Sequence, residues 1–167
     1  QGLEPHPGPT LEDALHRDTL QNCVLLESIN TSNAESAIDS LGRMGGHFVF
    51  PQEHSQNLRG IEICSAALVA KGWRQPHFGP LDPESRTNLG GIAGFSRRSK
   101  TLVHIAPVSK AFLEATLTGR VELFSLSLGG ATDCSVFVLY GWTGGHENTT
   151  QALRTDYICE ACLAELE

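Results

Sequence analysis

Polar side chains follow two apolar runs of the sequence, at the points where the predicted strands end. The run CVLLESIN leads into the turn-forming TSN after Asn30, and HFVF continues directly into PQEH, which contains Glu53 and His54. Residues 34–44 between the runs have helical spacing and are followed by two glycines. This β-α-β pattern predicts parallel strands, which bring both polar ends to the same edge of one sheet.

Each of these side chains also has an ordinary structural interpretation. Glu53 is equally typical of a solvated strand-end acid, Asn30 of an Asx-turn, and Tyr140 of a half-buried strand aromatic. His54 and His146 are more typical of loop histidines than of catalytic bases. The seven histidines have no spacing typical of metal ligands.

The cysteines offer a second candidate for chemistry. There are five, an odd number without the spacing of a small secreted domain, so a disulfide framework is disfavoured and a reducing compartment is favoured. Cys159 and Cys162 form a CxxC motif inside an amphipathic helical run, with no second pair. This context favours buried helix cysteines over a zinc or redox site.

Length and charge limit the class of protein. A chain of 167 residues with 40% apolar side chains is typical of one globular domain. The net charge of −7 disfavours a polyphosphate partner unless basic residues cluster, and the one tight group, Arg97, Arg98 and Lys100, is typical of a solvated loop. No apolar stretch approaches the ~20 residues of a membrane span, and the first residues lack the order of a secretory signal.

Hydrophobic periodicity supplies the remaining elements. Residues 57–71 predict a helix, GGIAGFS a strand with bulges or close backbone approach, and SKAFLEATLTG a weak helix. RVELFSLSL and CSVFVLYGW predict antiparallel neighbouring strands, and the segment from 149 to 167 predicts an amphipathic helix. The expected organisation is a flexible Pro-rich leader at 1–10 and one domain over 11–167, which starts with a short helix from about Leu11.

Five motifs in order carry a resemblance to a known family. SIN, FPQEH, GGIAGFS, GRVELFSLSL and VFVLYGW resemble the amino-terminal half of the endonuclease/exonuclease/phosphatase superfamily, over a region from about Cys23 to the end. The resemblance implies an α/β (α+β) fold: half of a four-layer α/β/β/α sandwich, with a mixed sheet and flanking helices.

The resemblance also implies a magnesium-dependent phosphodiester hydrolase that acts on nucleic acid. Glu53 matches the family's magnesium-holding carboxylate, Asn30 the amide that helps to fix the site, and Tyr140 the tyrosine near the scissile phosphate. Magnesium is a hard ion that proteins bind through one or two carboxylates plus water and substrate phosphate, so Glu53 alone predicts weak binding.

The sequence departs from the family after Tyr140. The family's second half supplies an Asp-x-Asn strand end and an Asp-His pair, and neither follows here; Asp156 falls inside the predicted final helix. We therefore expect a truncated domain that is inactive alone and leaves an apolar sheet face, near Phe95, Phe124 and Phe137, for a protein partner to cover. The alternative function is a non-catalytic structural or binding subunit of a larger assembly.

The leader carries a second resemblance. GLEPHPGP is similar to the ribosome-skipping peptide, ending in Asn-Pro-Gly-Pro, that precedes such nuclease domains in some non-LTR retroelements; Gly2 and His6 depart from its usual acidic and Asn positions. The resemblance implies a retroelement-derived chain with a degenerate leader.

Overall fold

A computed structural model describes residues 24–31, 33–74, 76–84, 90–127, 133–142 and 149–166. The predicted leader, the helix predicted to start at about Leu11, and the residue Cys23 all lie outside these ranges. The described part contains seven strands and four helices, in the order β1 Leu26–Asn30, α1 Ala34–Arg43, β2 Phe48–Gln52, α2 Leu58–Ala70, β3 His77–Phe78, β4 Ala93–Ser96, β5 Thr101–His104, α3 Lys110–Thr116, β6 Val121–Ser127, β7 Asp133–Leu139 and α4 Thr149–Glu165.

The strands form two sheets. The first has the order β1-β2-β4-β3, with β1 and β2 parallel and the other pairs antiparallel, so it is a mixed sheet. The second is the antiparallel sheet β5-β6-β7. In the parallel pair Asn30 lies opposite Gln52, which places the ends of β1 and β2 at one edge as predicted.

Local side chains start the helices where the sequence indicates. The Asn33 side chain accepts hydrogen bonds from the backbone N–H groups of Glu35 and Ser36 at the start of α1. Asn57 caps α2 in the same way. Ser109 caps α3. Each cap satisfies an N–H group that has no partner within its helix, which fixes the first turn.

The two sheets pack face to face and helices cover their outer faces. Alternation along β6 directs Phe124 and Leu126 toward the first sheet, where the rings of Phe50 and Phe124 lie 5.4 Å apart. On the outer side of the first sheet, the core contains Leu41 of α1 and Leu68 of α2. Outside the second sheet, the core is formed with α3 and α4 by Val121, Leu123, Phe112 and Ile158. The layers are therefore α/β/β/α, which confirms the expected architecture.

The expected uncovered sheet face is not found among the described residues. Phe95 is 1% exposed and Phe124 is not exposed at all, because the chain's own helices and opposite sheet cover them. Phe137 is half-buried, with its ring 5.4 Å from that of Phe112 in α3. The three side chains therefore do not form one exposed face: Phe95 packs with α1 and α2, Phe124 between the sheets, and Phe137 against α3.

Two strands and one cysteine also differ from expectation. Strand β3 has two residues and β5 has four, and both escaped prediction because so short a run carries little periodicity. In α4, Cys162 is buried, and burial raises the pKa of its thiol to about 11. Cys159 is exposed, so only half of the CxxC pair is buried as predicted. Of the helices in the described ranges, none is long and apolar enough to cross a membrane.

Candidate active site

Three predicted site residues meet at one edge of the sandwich. Asn30 ends β1, Glu53 follows β2 directly, and Tyr140 follows β7 directly. Asn30 Nδ2 donates to the Tyr140 hydroxyl oxygen over 3.4 Å. The Glu53 carboxylate is close enough to this hydroxyl to raise its pKa. The structure thus joins an amide, a phenol and a carboxylate from three strands and both sheets.

The environment of Tyr140 fixes its protonation state. Burial raises the pKa of the Tyr140 hydroxyl, and the neighbouring Glu53 carboxylate raises it further, since a second negative charge there is unfavourable. The Arg120 charge and the Asn30 hydrogen bond act in the opposite direction and are outweighed. Because an ordinary tyrosine already has a pKa of about 10, Tyr140 is protonated at neutral pH and can donate a hydrogen bond.

Gln52 holds the three strands together beside this group. Its side-chain Nε2 donates to Ser28 Oγ in β1 and to the backbone oxygen of Leu139 in β7, each over 3.1 Å. The amide of Gln52 therefore links β1 and β2 to the carboxyl end of β7. This link keeps Asn30 and Tyr140 within hydrogen-bonding reach of each other.

The loop after β2 has an unusual backbone. Glu53 has a φ of 56° and Ser55 a φ of 53°, which is the left-handed region that non-glycine residues rarely occupy. The backbone N–H of His54 donates to Gly91 and that of Ser55 to Gly90, over 3.1 and 3.2 Å. These bonds hold the strained turn, and the turn aims the Glu53 side chain at the sheet edge.

His54 supports this loop from below. Its ring is fully buried, Nδ1 accepts from the backbone N–H of Gln56 over 3.1 Å, and Nε2 lies 3.1 Å from the backbone oxygen of Gly79. The ring is therefore neutral with the proton on Nε2, and burial lowers its pKa. A Cβ at Gly91 would lie 2.2 Å from this ring. His54 thus has the structural role favoured by the sequence.

Arg120 is a residue of this region that sequence reasoning missed. It precedes β6 and is 8% exposed; its guanidinium carbon lies 4.9 Å from the Tyr140 ring centre and 5.2 Å from that of Trp142. Its Nη2 lies 3.4 Å from Asp82 Oδ2. The sequence feature that could have identified Arg120 is its position directly before an apolar strand. An arginine buried there needs aromatic or acidic neighbours.

The oxygen donors at this edge fit a hard divalent cation. Glu53 is half-buried and supplies a carboxylate, while Asn30 supplies an amide oxygen from the neighbouring strand. Carboxylate, amide and water oxygens are the ligands that magnesium prefers. With one carboxylate, the group is suited to weak binding of such an ion, with water and other oxygen ligands completing its coordination.

The basic group of the sequence lies away from this edge. Phe48 pairs with Ser96 and Gln52 with Ile92. Arg97 therefore lies at the start of β2, at the other end of this strand pair from Glu53. The Arg97 guanidinium carbon stacks 3.9 Å from the Trp73 ring centre. The backbone oxygen of Arg98 accepts two hydrogen bonds from Arg74. The group forms a packed turn and not a phosphate-facing patch at the site.

A second polar group lies deeper between the sheets. His77 of β3, His104 of β5 and Glu122 of β6 place one ligand atom each within 4.8 Å of the others. Glu122 Oε2 lies 2.6 Å from His104 Nε2 and 3.7 Å from His77 Nε2. Burial lowers the pKa of His104, and the neighbouring His77 lowers it further. No spacing typical of metal ligands relates these residues in the sequence; the one sequence feature that could have drawn attention to them is a glutamate among the apolar residues of β6.

Comparison with known proteins places the architecture. No family model matches the sequence, and no curated protein matches it. Among solved structures, the crystal structure of the Xenopus laevis APE2 catalytic domain matches with a TM-score of 0.60 and 12% identity, over 85% of this chain and 52% of that one. The chain therefore shares the α/β/β/α sandwich fold of that catalytic domain. It spans about half the length of the catalytic domain that it matches.

Proposed function

We propose that this chain carries the metal-holding part of a phosphodiester hydrolase site that acts on nucleic acid. The observation that carries the proposal is the group of Asn30, Tyr140 and Glu53, in which Asn30 bonds to Tyr140 and the Glu53 charge acts on the same hydroxyl, at a strand edge of a fold shared with the APE2 catalytic domain. In this proposal Glu53 holds a magnesium ion. Bound there, the ion supplies Lewis-acid stabilisation of the charge that develops on the phosphoryl oxygens.

The chain's own side chains divide the remaining work. Tyr140 stays protonated and donates to a phosphate oxygen, while the Asn30 amide fixes the orientation of the Tyr140 hydroxyl. Arg120 is a positioning residue, since its charge lies over the Tyr140 ring and is partly neutralised by Asp82. These donors stabilise negative charge at one place without moving, which is the largest common contribution to such catalysis.

Turnover requires groups that this sequence does not carry. No Asp-x-Asn or Asp-His pair follows Tyr140, and Asp156 lies exposed within α4. We therefore propose that the chain alone binds magnesium and a phosphodiester backbone weakly, and that a separate polypeptide segment orients the attacking water. The net charge of −7 also opposes tight binding to nucleic acid.

The test measures binding and cleavage together. A labelled duplex with one abasic position is titrated with the chain in Mg²⁺ and in EDTA, and cleavage of an abasic plasmid is followed in parallel. We expect Mg²⁺-dependent binding that Glu53→Gln removes, no turnover, and no change with Glu62→Gln, a control at an exposed position on α2. Binding that ignores both Mg²⁺ and Glu53 contradicts the proposal; cleavage lost in Glu53→Gln keeps the site and overturns the need for a second segment.

The alternative is a binding subunit, and one surface feature favours it. Strands β1 and β7 are end strands of their sheets, and a groove of about 360 Å³ runs between them. Leu26 and Leu139 at its rim are 45% and 39% exposed. An end strand can accept a further strand through its backbone groups. A chain that is monomeric, well folded and inert to added protein partners, yet binds the abasic duplex, would exclude this alternative.

We also propose a retroelement origin and a single domain over 11–167 behind the leader at 1–10. The leader's likeness to a ribosome-skipping peptide supports this origin, and the departures at Gly2 and His6 predict that skipping is lost. A two-reporter translation assay with the leader between the reporters should yield only the fused product. Separate reporters would mean that the leader still functions.

A further inference from the structure

We propose that His77, His104 and Glu122 form a binding site for a divalent transition-metal ion, with Zn²⁺ as the best-suited ion. The site is separate from the magnesium position proposed at Glu53, and its argument does not depend on that function. The ligand set is two imidazoles and one carboxylate. Two histidines and a glutamate are an established zinc donor set, and imidazole favours zinc over magnesium.

The strongest observation is a buried carboxylate oxygen on which two imidazole nitrogens converge. Glu122 is 2% exposed, and its Oε2 has no hydrogen-bond partner among the described residues. His104 Nε2 lies 2.6 Å from this oxygen and forms an ion pair with it when the imidazole is protonated. His77 Nε2 is also buried and without a hydrogen bond to the described chain. Orphaned buried atoms that converge in this way indicate a missing ligand, because folded proteins rarely leave them unsatisfied.

The distances require a small adjustment. Ligand atoms bound to one tetrahedral zinc ion at 2.0–2.2 Å lie roughly 3.3 Å apart. The separations from Glu122 Oε2, 2.6 Å to His104 and 3.7 Å to His77, lie on either side of that value. The two rings are stacked, with centres 4.1 Å apart and planes 9° from parallel, so they must also turn until their Nε2 atoms converge. The His104 and His77 side chains are 29% and 31% exposed, so neither is enclosed on all sides.

The chain around Glu122 is shaped to hold it in place. A Cβ at Gly79 would lie 2.1 Å from Glu122 Oε1, so only glycine permits this close approach. The Phe124 ring contacts both imidazoles edge-on, with centres 5.6 and 5.9 Å away. The carboxylate is thus fixed, and the two partly exposed imidazoles provide the movable part of the site.

The position of the site indicates what the ion would do. His77 lies in the first sheet, and His104 and Glu122 lie in the second. An ion bound to all three ligands joins the two sheets through β3, the shortest strand. The loop after β3 carries Gly79, whose backbone oxygen contacts His54 beneath the Glu53 turn. The bound ion would therefore stabilise the sandwich.

The experiment uses the chain with any affinity tag removed and metal stripped by a chelator. Zn²⁺ is titrated against a chelating dye, Co²⁺ is used as a spectroscopic probe of four-coordinate geometry, and the melting temperature is measured with and without Zn²⁺. We expect one ion per chain and a higher melting temperature with Zn²⁺. His77→Gln and His104→Gln should each weaken binding by at least about 100-fold, more than the loss of an outer-shell partner usually does.

Two control variants locate the ion. His47→Gln changes another half-buried histidine, which accepts a backbone hydrogen bond from Leu25 next to the start of β2. Glu53→Gln changes the strand-end site, and neither variant should affect Zn²⁺ binding. Absence of one-to-one binding by the unaltered chain overturns the proposal, as does binding that survives both ligand variants or is lost in Glu53→Gln. If His104→Gln does not fold, His77→Gln at the edge strand decides the question.

Discussion

Two glutamates of this sandwich, Glu53 and Glu122, differ in what surrounds their carboxylates. Glu53 is half-buried just after β2, and its partner is the Tyr140 hydroxyl. Glu122 is 2% exposed within β6, and its nearest side chains are two imidazoles. A carboxylate among oxygen donors and water suits a hard ion, whereas one enclosed with imidazoles suits a transition metal. The two glutamates are therefore suited to two different kinds of metal ion, as proposed above.

We expect the largest loss of stability from a substitution beside the loop of Glu53 and His54, which we call the strand-end region. Gly91→Ala places a Cβ 2.2 Å from the His54 ring at a φ of 82°, so it combines a collision with backbone strain. We expect a loss of about 3 kcal/mol or more in the free energy of unfolding, measured with denaturant.

Gly72→Ala is the matched control for that variant. Its φ is 93° and no atom lies within 4 Å of the added Cβ, so strain alone should cost about 1–2 kcal/mol. Equal losses at the two positions would mean that the contact between Gly91 and His54 does not support the loop.

The second substitution lies beside His77, His104 and Glu122, which we call the imidazole region. Gly79→Ala puts a Cβ 2.1 Å from Glu122 Oε1 and 3.0 Å from the backbone oxygen of Ile92. We expect a loss of about 1–3 kcal/mol in unfolding free energy from overpacking, together with weaker Zn²⁺ binding. Mg²⁺-dependent duplex binding at Glu53 should persist in the folded fraction. A variant that loses duplex binding but keeps Zn²⁺ would reverse the division between the two regions.

A third substitution tests whether Glu53 and Tyr140 interact in the strand-end region. Removing the Glu53 charge removes one cause of the raised pKa of Tyr140, so Glu53→Gln should lower that pKa toward the ordinary value of about 10. Near-ultraviolet absorbance reports tyrosine ionisation, and Tyr157→Phe leaves Tyr140 as the one tyrosine. The Glu62→Gln control should leave the titration unchanged. An unaltered curve in Glu53→Gln would show that the two side chains do not interact in solution.

The smallest effect concerns an acid outside both regions. Glu165 of α4 accepts from the backbone N–H groups of Val108 and Ser109, each over 2.7 Å. Burial acts to raise the pKa of Glu165, but these hydrogen bonds outweigh it and the pKa is lowered. The folded pKa is below the unfolded value of about 4.3, so the stabilisation is present above that pH and is lost as the pH falls through the folded pKa.

Glu165→Gln should therefore reduce stability by less than about 1 kcal/mol at neutral pH and flatten the loss of stability in acid. Denaturant unfolding between about pH 5 and pH 3 measures this slope. Glu160→Gln, at an exposed position on the same helix, is the control. A slope unchanged by Glu165→Gln would mean that the contact with the start of α3 contributes nothing in solution.

Sequence reasoning was most reliable where a local period was long. The helices α1, α2 and α4 and the strands β6 and β7 were predicted, because each repeats its apolar spacing over several turns or alternations. Strands β3 and β5 were missed because two and four residues carry almost no period. The sequence also did not show that α3 packs on the outer face of the second sheet, because its helical pattern is too weak to indicate which side is apolar.

For the candidate site, the sequence determined which residues end the strands. The parallel β1–β2 pair places Asn30 and the Glu53 turn at one edge, and that edge follows from the β-α-β pattern alone. Only the tertiary structure decided that Tyr140 of the other sheet closes the group and that Arg120 lies over its ring. Only the packing of the two sheets brought His77, His104 and Glu122 together. The physical reason is range: hydrophobic periods act between near neighbours, whereas contacts across a sandwich depend on how whole sheets stack.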